Sequence, residues 1–435
     1  MKKILIGLGL AILILAGDLA WRARPVMREN ESYNAFFPKE EFLAKVDSAV
    51  PEWMSRQMES DFKGALPVTA GAVEKAYDTI LGRVPKPIFC YHYRILDNEL
   101  YKYIPPITHC SPRDTSFEKA FKTLLSHVKV PDVDFILIPM DGIPEAFMTP
   151  DFYLMDDPRE QVPILGQAKL REPLTRSIVL IPDQITLSES WYKMSAEILA
   201  LNDTIPWSEK KGKAFWRGGV SDNSVTAGEA ALFVTPRLNL CRQSKTAPEF
   251  LDALFYDCQC PITRKLIEQE GLVASFASKL VHLSYKYQPA LDGHMCTYPG
   301  FQWRLLSDTL TLKQESDQVQ WFYGALQPYR HYLPIAGDMS DVVEKVKWAE
   351  AHEGEVLQMI ENARAFVTDH LLYEDCYRYL YLVLQKYSTY QQIDFKALKK
   401  ATRKDPRWVN IHYRKREAIF KMLRRTVEKG AQWLK

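Results

Sequence analysis

The sequence predicts an α/β protein in two domains, and three observations carry that expectation. At 435 residues with 47% apolar composition, the chain is long enough to bury two cores. Short apolar runs bounded by turn residues, Phe135-Ile136-Leu137-Ile138 and Ser177 to Pro182, have the form of parallel strands covered on both faces. The stretch from Val281 to Pro334 moves from a β-like run through an Asp-Gly turn and a Pro-Gly pair into a short apolar segment. It regains strand character at Thr309–Leu312, the rhythm of strand, loop, helix, strand. In an α/β protein such loops lie at the carboxyl ends of strands, where small ligands bind.

Taken in order, Lys2-Lys3 and the uncharged run that follows make residues 1–21 a signal anchor, with a cleaved, exporting signal peptide as the alternative. Residues 29–82 are polar with helical periodicity, and Pro87 to Ile104 reads as two β-rich runs joined across Asp97-Asn98, good hairpin chemistry. Ser116 to His127 carries Phe117, Ala120, Phe121 and Leu124 on one helical face. Asp141 stands just past the Phe135 strand, where its carboxylate either enters a crevice or braces a turn. Asp132-Val133-Asp134 has the spacing of a cation-binding pair but precedes the strand, so solvated carboxylates at strand entry are the plainer reading. Cys258 and Cys260, one residue apart, lack a second pair at ligand spacing, and no metal is expected.

A helix from Ser190 to Leu201 and a polar segment with Pro206 follow, and the domain boundary is placed there. At Ala214 to Asn223 a β-like triplet leads into Arg217-Gly218-Gly219, with Ser221 beyond. Glycines let the backbone approach a ligand, and exposed N–H groups with an arginine fork suit phosphate. Three helices are expected at Asp341–Glu353, Glu355–Leu372 and Asp375–Tyr387. The last 41 residues hold fourteen Lys and Arg against three Asp and Glu, near +11, which leaves the remainder near −9 of a total of +2. Arg414, Lys415, Arg416, Arg424 and Arg425 interleave with Ile419, Phe420, Leu423 and Val427, the pattern of a basic amphipathic helix for an anionic membrane surface or a solvated helix on the body. The near-neutral total, and a tail without a recognition module, speak against nucleic acid.

Several short motifs also fall into one register: Lys286-Tyr287, Asp292-Gly293, Leu305-Leu306-Ser307, Leu312-Lys313-Gln314, Leu326-Gln327-Pro328 and His331-Tyr332-Leu333-Pro334. Together they resemble glycosyltransferase family 90, which includes the capsule-associated proteins and the Rumi-type protein O-glucosyltransferases. The resemblance spans about Pro87 to Ser388 and stops short of the first eighty residues and the tail. It implies a GT-B-like α/β fold, two Rossmann-like domains facing a cleft: residues 22–205 on the acceptor side, and 206–390 holding the nucleotide-sugar and ending in a crossover helix. Residues 391–435 are expected to form a separate basic tail.

The implied activity is inverting transfer of a hexose or pentose from a nucleotide-sugar, UDP-glucose or UDP-xylose, to a hydroxyl of a glycan, lipid-linked glycan or protein at a membrane. No metal or cofactor is expected. Asp141 corresponds to the family's proposed base. Arg217, Gly218, Gly219 and Ser221 match its phosphate loop, and Arg237 a following arginine whose bland alternative is a surface ion pair. At Asp292-Gly293 the family continues with a hydroxyl residue and an arginine. Here Thr297 is near the first place, but Pro299-Gly300 fills the second and the next arginine is Arg304. Either Arg304 substitutes from the following helix, or phosphate is held by Arg217 and helix-terminal N–H groups. An exposed helical arginine is the bland reading of Arg304. The missing arginine also motivates a different class, a non-catalytic sugar-binding or scaffolding protein that retains the fold.

Overall fold

The computed structural model describes residues 37–65, 67–83, 90–105, 112–139, 162–171, 177–220, 235–258, 260–293 and 295–411. Asp141, Ser221, the apolar run of residues 1–21 and the basic stretch 412–435 lie outside the described residues. Six strands come first: β1 (Tyr91–Leu96), β2 (Glu99–Tyr103), β3 (Val133–Ile138), β4 (Ile164–Gly166), β5 (Lys169–Leu170) and β6 (Ile178–Leu180). Seven follow: β7 (Lys211–Gly219), β8 (Leu251–Asp257), β9 (Tyr285–Ala290), β10 (Leu310–Gln314), β11 (Gln318–Val319), β12 (Leu333–Ile335) and β13 (Trp408–Asn410).

The first sheet has the order β13-β2-β1-β3-β4-β6. It is mixed, which corrects the Rossmann-like expectation for this half. β3, β4 and β6 run parallel, whereas β1 is antiparallel to both β2 and β3. The cause is the two-residue turn at Asp97-Asn98, whose φ values of 53° and 62° belong to a tight hairpin, and a two-residue hairpin forces antiparallel pairing.

The second sheet is wholly parallel, in the order β12-β10-β9-β7-β8. Counted along the chain this is 5-4-3-1-2, a doubly wound arrangement whose winding reverses between β7 and β9. In open α/β sheets the ligand crevice lies at such a reversal, outside the carboxyl ends of the two strands. The helix Gly300–Leu306 follows β9 and packs on the helices Glu189–Leu201 and Glu353–His370. Its residues Phe301, Trp303, Leu305 and Leu306 belong to the first sheet's core, so this helix fixes the crevice to both halves. The short β5 pairs with β11 in a separate two-stranded ribbon, with one strand from each half of the chain.

The helix Tyr373–Thr389 returns the chain to the first sheet. Its buried phenols find carbonyl partners there, Tyr377 on Leu187 at 2.9 Å and Tyr387 on Pro163 at 2.6 Å. The described part of the tail is no separate unit, a correction to the boundary at 391. β13 pairs antiparallel with β2, and the helix Phe395–Lys404 directs Lys399 to Asp132 at 2.7 Å and Arg403 to Asp97 at 3.0 Å. Composition counts these cations with the tail but cannot show these pairings, because their partners lie some three hundred residues earlier. Among the described residues no helix is long and apolar enough to cross a membrane.

Candidate active site

Arg237 bridges the reversal of winding. It is the second residue of the helix Pro236–Thr246, which begins with proline at its first position and is capped by Thr235, whose hydroxyl accepts from the Leu238 N–H at 3.2 Å. From there its guanidinium donates to the carbonyls of Gly219 at 2.7 Å, Asp292 at 2.9 Å and Leu291 at 3.3 Å. The carboxyl ends of β7 and β9 are thereby tied together. Arg237 is a buried clamp rather than a surface ion-pair residue.

Asp292, Gly293 and Thr297 are brought together in the loop after β9. The Asp292 carboxylate accepts from Lys313 Nζ at 2.9 Å, Ser316 Oγ at 2.5 Å and Thr297 Oγ1 at 3.2 Å, and its N–H donates to Gln314 Oε1 at 2.9 Å. The loop is thus pinned to the end of β10. Gly293 donates to the Met295 carbonyl at 2.7 Å. Lys313, Gln314 and Ser316 had not been singled out as site residues, although Lys313-Gln314 lies within the motifs quoted above.

Arg304 does not stand exposed on its helix: it is 5% exposed. Its side chain folds back one turn to the Gly300 carbonyl at 2.9 Å and lies over the Trp303 ring at 4.2 Å. Gly300 makes room for this turn, since a Cβ there would stand 2.3 Å from Thr297 Cγ2. No carboxylate pairs with Arg304 among the described residues, and its Nε has no hydrogen-bond partner. Burial first, and the Arg237 charge second, pull its pKa down to about 9. Lys279 also lies over this indole, 3.9 Å from the ring, and is lowered to about 8 by burial and by Arg304. Lys279 is only half-buried and feels the Glu197 carboxylate, whereas Arg304 is a buried cation without counter-charge among the described residues, which is costly unless an anion completes it.

Arg217 is not brought to this edge. Its guanidinium reaches back along the sheet to the Asp252 carboxylate at 2.7 Å and carbonyl at 2.9 Å, over the Phe215 ring. Gly218 is required by packing, because a Cβ would meet the Trp216 ring at 2.1 Å, while Gly219 lies at the open carboxyl end of β7. Asp132 and Asp134 are engaged at the amino end of β3, Asp132 by Lys399 and Asp134 by His92 at 2.5 Å and Arg94 at 3.1 Å. His331 accepts from the Gln327 N–H at 3.0 Å and shapes a turn.

The family model for glycosyl transferase family 90 matches residues 78–431. The chain belongs to that family. The matched span of this family 90 protein takes in β13 and most of the basic tail, further than the motifs alone had reached. It is 30% identical over 312 residues to protein O-glucosyltransferase 3 of Mus musculus, covering 69% of this chain and 55% of that protein. Against the Homo sapiens protein of the same name it is 29% identical, with the same coverage. The chain thus spans about half the length of these relatives. Among solved structures it is similar to a glycosyltransferase from Rickettsia africae, with 11% identity, a TM-score of 0.34, and coverage of 57% of this chain and 69% of that one.

Proposed function

We propose that this family 90 chain transfers a glucosyl or xylosyl unit from a UDP-sugar to a hydroxyl, in a GT-B arrangement with the donor at the β7–β9 reversal. The observation that carries the reading is the buried, carboxylate-free Arg304 beside Arg237 at the carboxyl edge of a doubly wound sheet. A nucleoside diphosphate supplies the missing negative charge, and a chain that merely kept the fold would have no use for that unpaired cation. The relatives' name, protein O-glucosyltransferase, supports glucose as the sugar and a protein hydroxyl as one acceptor, alongside a glycan or lipid-linked glycan.

In this mechanism Asp141 takes the acceptor hydroxyl's proton as the oxygen attacks the anomeric carbon from the face opposite the leaving group, inverting it. Arg304 and loop N–H groups carry the charge that grows on the diphosphate, the task that other transferases give a cation. Arg217, paired with Asp252, orders the sheet beneath them. Asp132 and Asp134 are already matched by Lys399, His92 and Arg94, so transfer is expected to survive chelation. Residues 1–21 and the basic stretch beyond 411 are proposed to hold the protein at a membrane. Loss of vesicle binding on removing residues 1–21, with a salt-sensitive remainder, is the matching result.

The test pairs binding with turnover. A UDP-sugar at one hundred times its Kd raises stability by about 2.7 kcal/mol, which a thermal shift detects. Asp141→Asn is expected to keep that shift and to lose turnover by about a hundredfold or more. A variant that keeps over about a tenth of the activity removes Asp141 as the base.

A further inference from the structure

Two cavities meet where β5 pairs with β11. The larger, about 510 Å³, lies at the carboxyl end of β10 and is lined by Phe301, Tyr323 and Tyr332. The smaller, about 180 Å³, lies between the helix Glu52–Asp61 and the β5–β11 ribbon. Arg171 and Tyr323 line both, so the two chambers adjoin and are taken together as one groove. Its inner wall is Lys313 and Ser316, which hold the two Asp292 carboxylate oxygens. The groove therefore adjoins the donor crevice through a single loop.

The chemistry of the groove is that of a site for hydroxyls. Arg171, Glu315 and Asp317 make no side-chain hydrogen bond or ion pair among the described residues. Gln320, 1% exposed, lines the smaller chamber with its Oε1 lacking any donor, and Gln318 Oε1 is buried and undonated in the larger. Buried acceptors left unmet are costly, and these two amide oxygens, with the exposed carboxylates of Glu315 and Asp317 at the mouth, favour a ligand that carries several O–H donors close together. A pyranose ring presents such a set, whereas an extended peptide offers few donors over the same length. Tyr323 and Tyr332 stand edge-on to Phe301 at 5.3 and 5.8 Å between centroids and provide apolar ring surface for the C–H faces of a sugar. One unpaired cation against two unpaired anions disfavours a phosphate or a second nucleotide, because Lys313 is already neutralised by Asp292.

We propose that this groove binds a neutral saccharide portion of the acceptor, so that the hydroxyl to be glycosylated is delivered beside Asp292 by a sugar already seated against Tyr332 and Arg171. The inference rests on the donor reading above for its reaction, but not for its binding chemistry. Gln57, Ser60 and Asp61, which line the smaller chamber, precede the family-matched residues, so this part of the wall comes from outside the segment that defines the family.

The test is saturation-transfer NMR on the full chain with maltose, cellobiose, xylobiose and mannobiose, with UDP measured in parallel. At least one disaccharide is expected to bind, and the double variant Arg171→Ala, Glu315→Gln, altered only at two exposed side chains, is expected to weaken it by about tenfold or more. UDP binding without disaccharide binding, equal binding by the variant, or binding confined to short Ser/Thr peptides overturns the groove and leaves the donor site standing. Disaccharide binding that the variant loses, in a protein that does not bind UDP, supports the groove and overturns the donor reading instead.

Discussion

Two arginines in this molecule begin from the same circumstances and end differently. Arg94 in the first sheet is 1% exposed and lies over Trp408 at 3.9 Å; Arg304 beside the second is 5% exposed and lies over Trp303 at 4.2 Å. Arg94 donates to Glu74 at 2.8 Å and Thr402 at 3.0 Å, and its Nε stands 3.1 Å from Asp134, a charge contact without hydrogen-bond alignment. Arg304 has one carbonyl and no carboxylate among the described residues. Burial and aromatic cover therefore do not distinguish a structural cation from one that awaits a ligand. The counter-charge does, because a buried ion is stable only when its field is answered.

The largest effect that would break this contrast is expected at Arg94. Removing one member of a buried pair strands the other, so Arg94→Met is expected to cost about 3–5 kcal/mol in denaturant unfolding. A loss under about 1 kcal/mol would mean that the Asp134 network is not holding the sheet. Arg304→Met is expected to behave in the opposite way. It should weaken UDP affinity by about tenfold to a hundredfold, the worth of one or two charge-assisted hydrogen bonds, while leaving the unliganded fold as stable or more so. If Arg304→Met unfolds the protein as Arg94→Met does, the contrast fails.

Smaller in size, but sharper in sign, is the dependence on pH. Burial lowers Lys279 to about 8, and burial beside Arg237 pulls Arg304 below the usual arginine range. As pH rises from 8 toward 10, the folded protein sheds protons that the unfolded chain keeps, so the stability of the unliganded protein rises. Over the same range the crevice loses positive charge, so UDP affinity falls. Calorimetry against pH is expected to show the two trends crossing, and a UDP affinity that is flat from pH 7 to 10 would remove both cations from the site. The smallest effect is expected at Lys399, paired with Asp97 and Asp132 where water reaches. Lys399→Ala should cost about 0–1 kcal/mol, and less in high salt.

Much of the fold was legible because its signals are local. Asp97-Asn98 announced a hairpin, since few residues take positive φ twice in succession, and the Phe135 run announced a buried strand because nothing in it needs water. β4 was not legible, because its two apolar residues are cut short by Gly166-Gln167, and neither was β13, whose pairing with β2 is set by contacts between distant parts of the chain. The site divided along the same line. Gly218, Gly219, Asp292 and Thr297 were found as residue types suited to a ligand loop, and the last two do share one loop. That Arg217 turns back to Asp252 while Arg304 folds onto the Gly300 carbonyl without meeting a carboxylate depends on rotamers and neighbours which spacing does not encode.

The edge strand β13 has a consequence for the order in which the chain can be assembled during synthesis. The second sheet is drawn from one continuous stretch, Lys211 to Ile335, and all its partners have left the ribosome together. The first sheet begins at Tyr91 and is complete only when Trp408 to Asn410 has been made. Long-range pairing of this kind is slow, and a sheet waiting for its last strand exposes a row of unpaired N–H and C=O groups on β2. The second sheet can therefore mature on a nascent chain whose first sheet is still open, and a truncation a few dozen residues from the end would yield a formed second sheet on a protein that aggregates through the edge of β2.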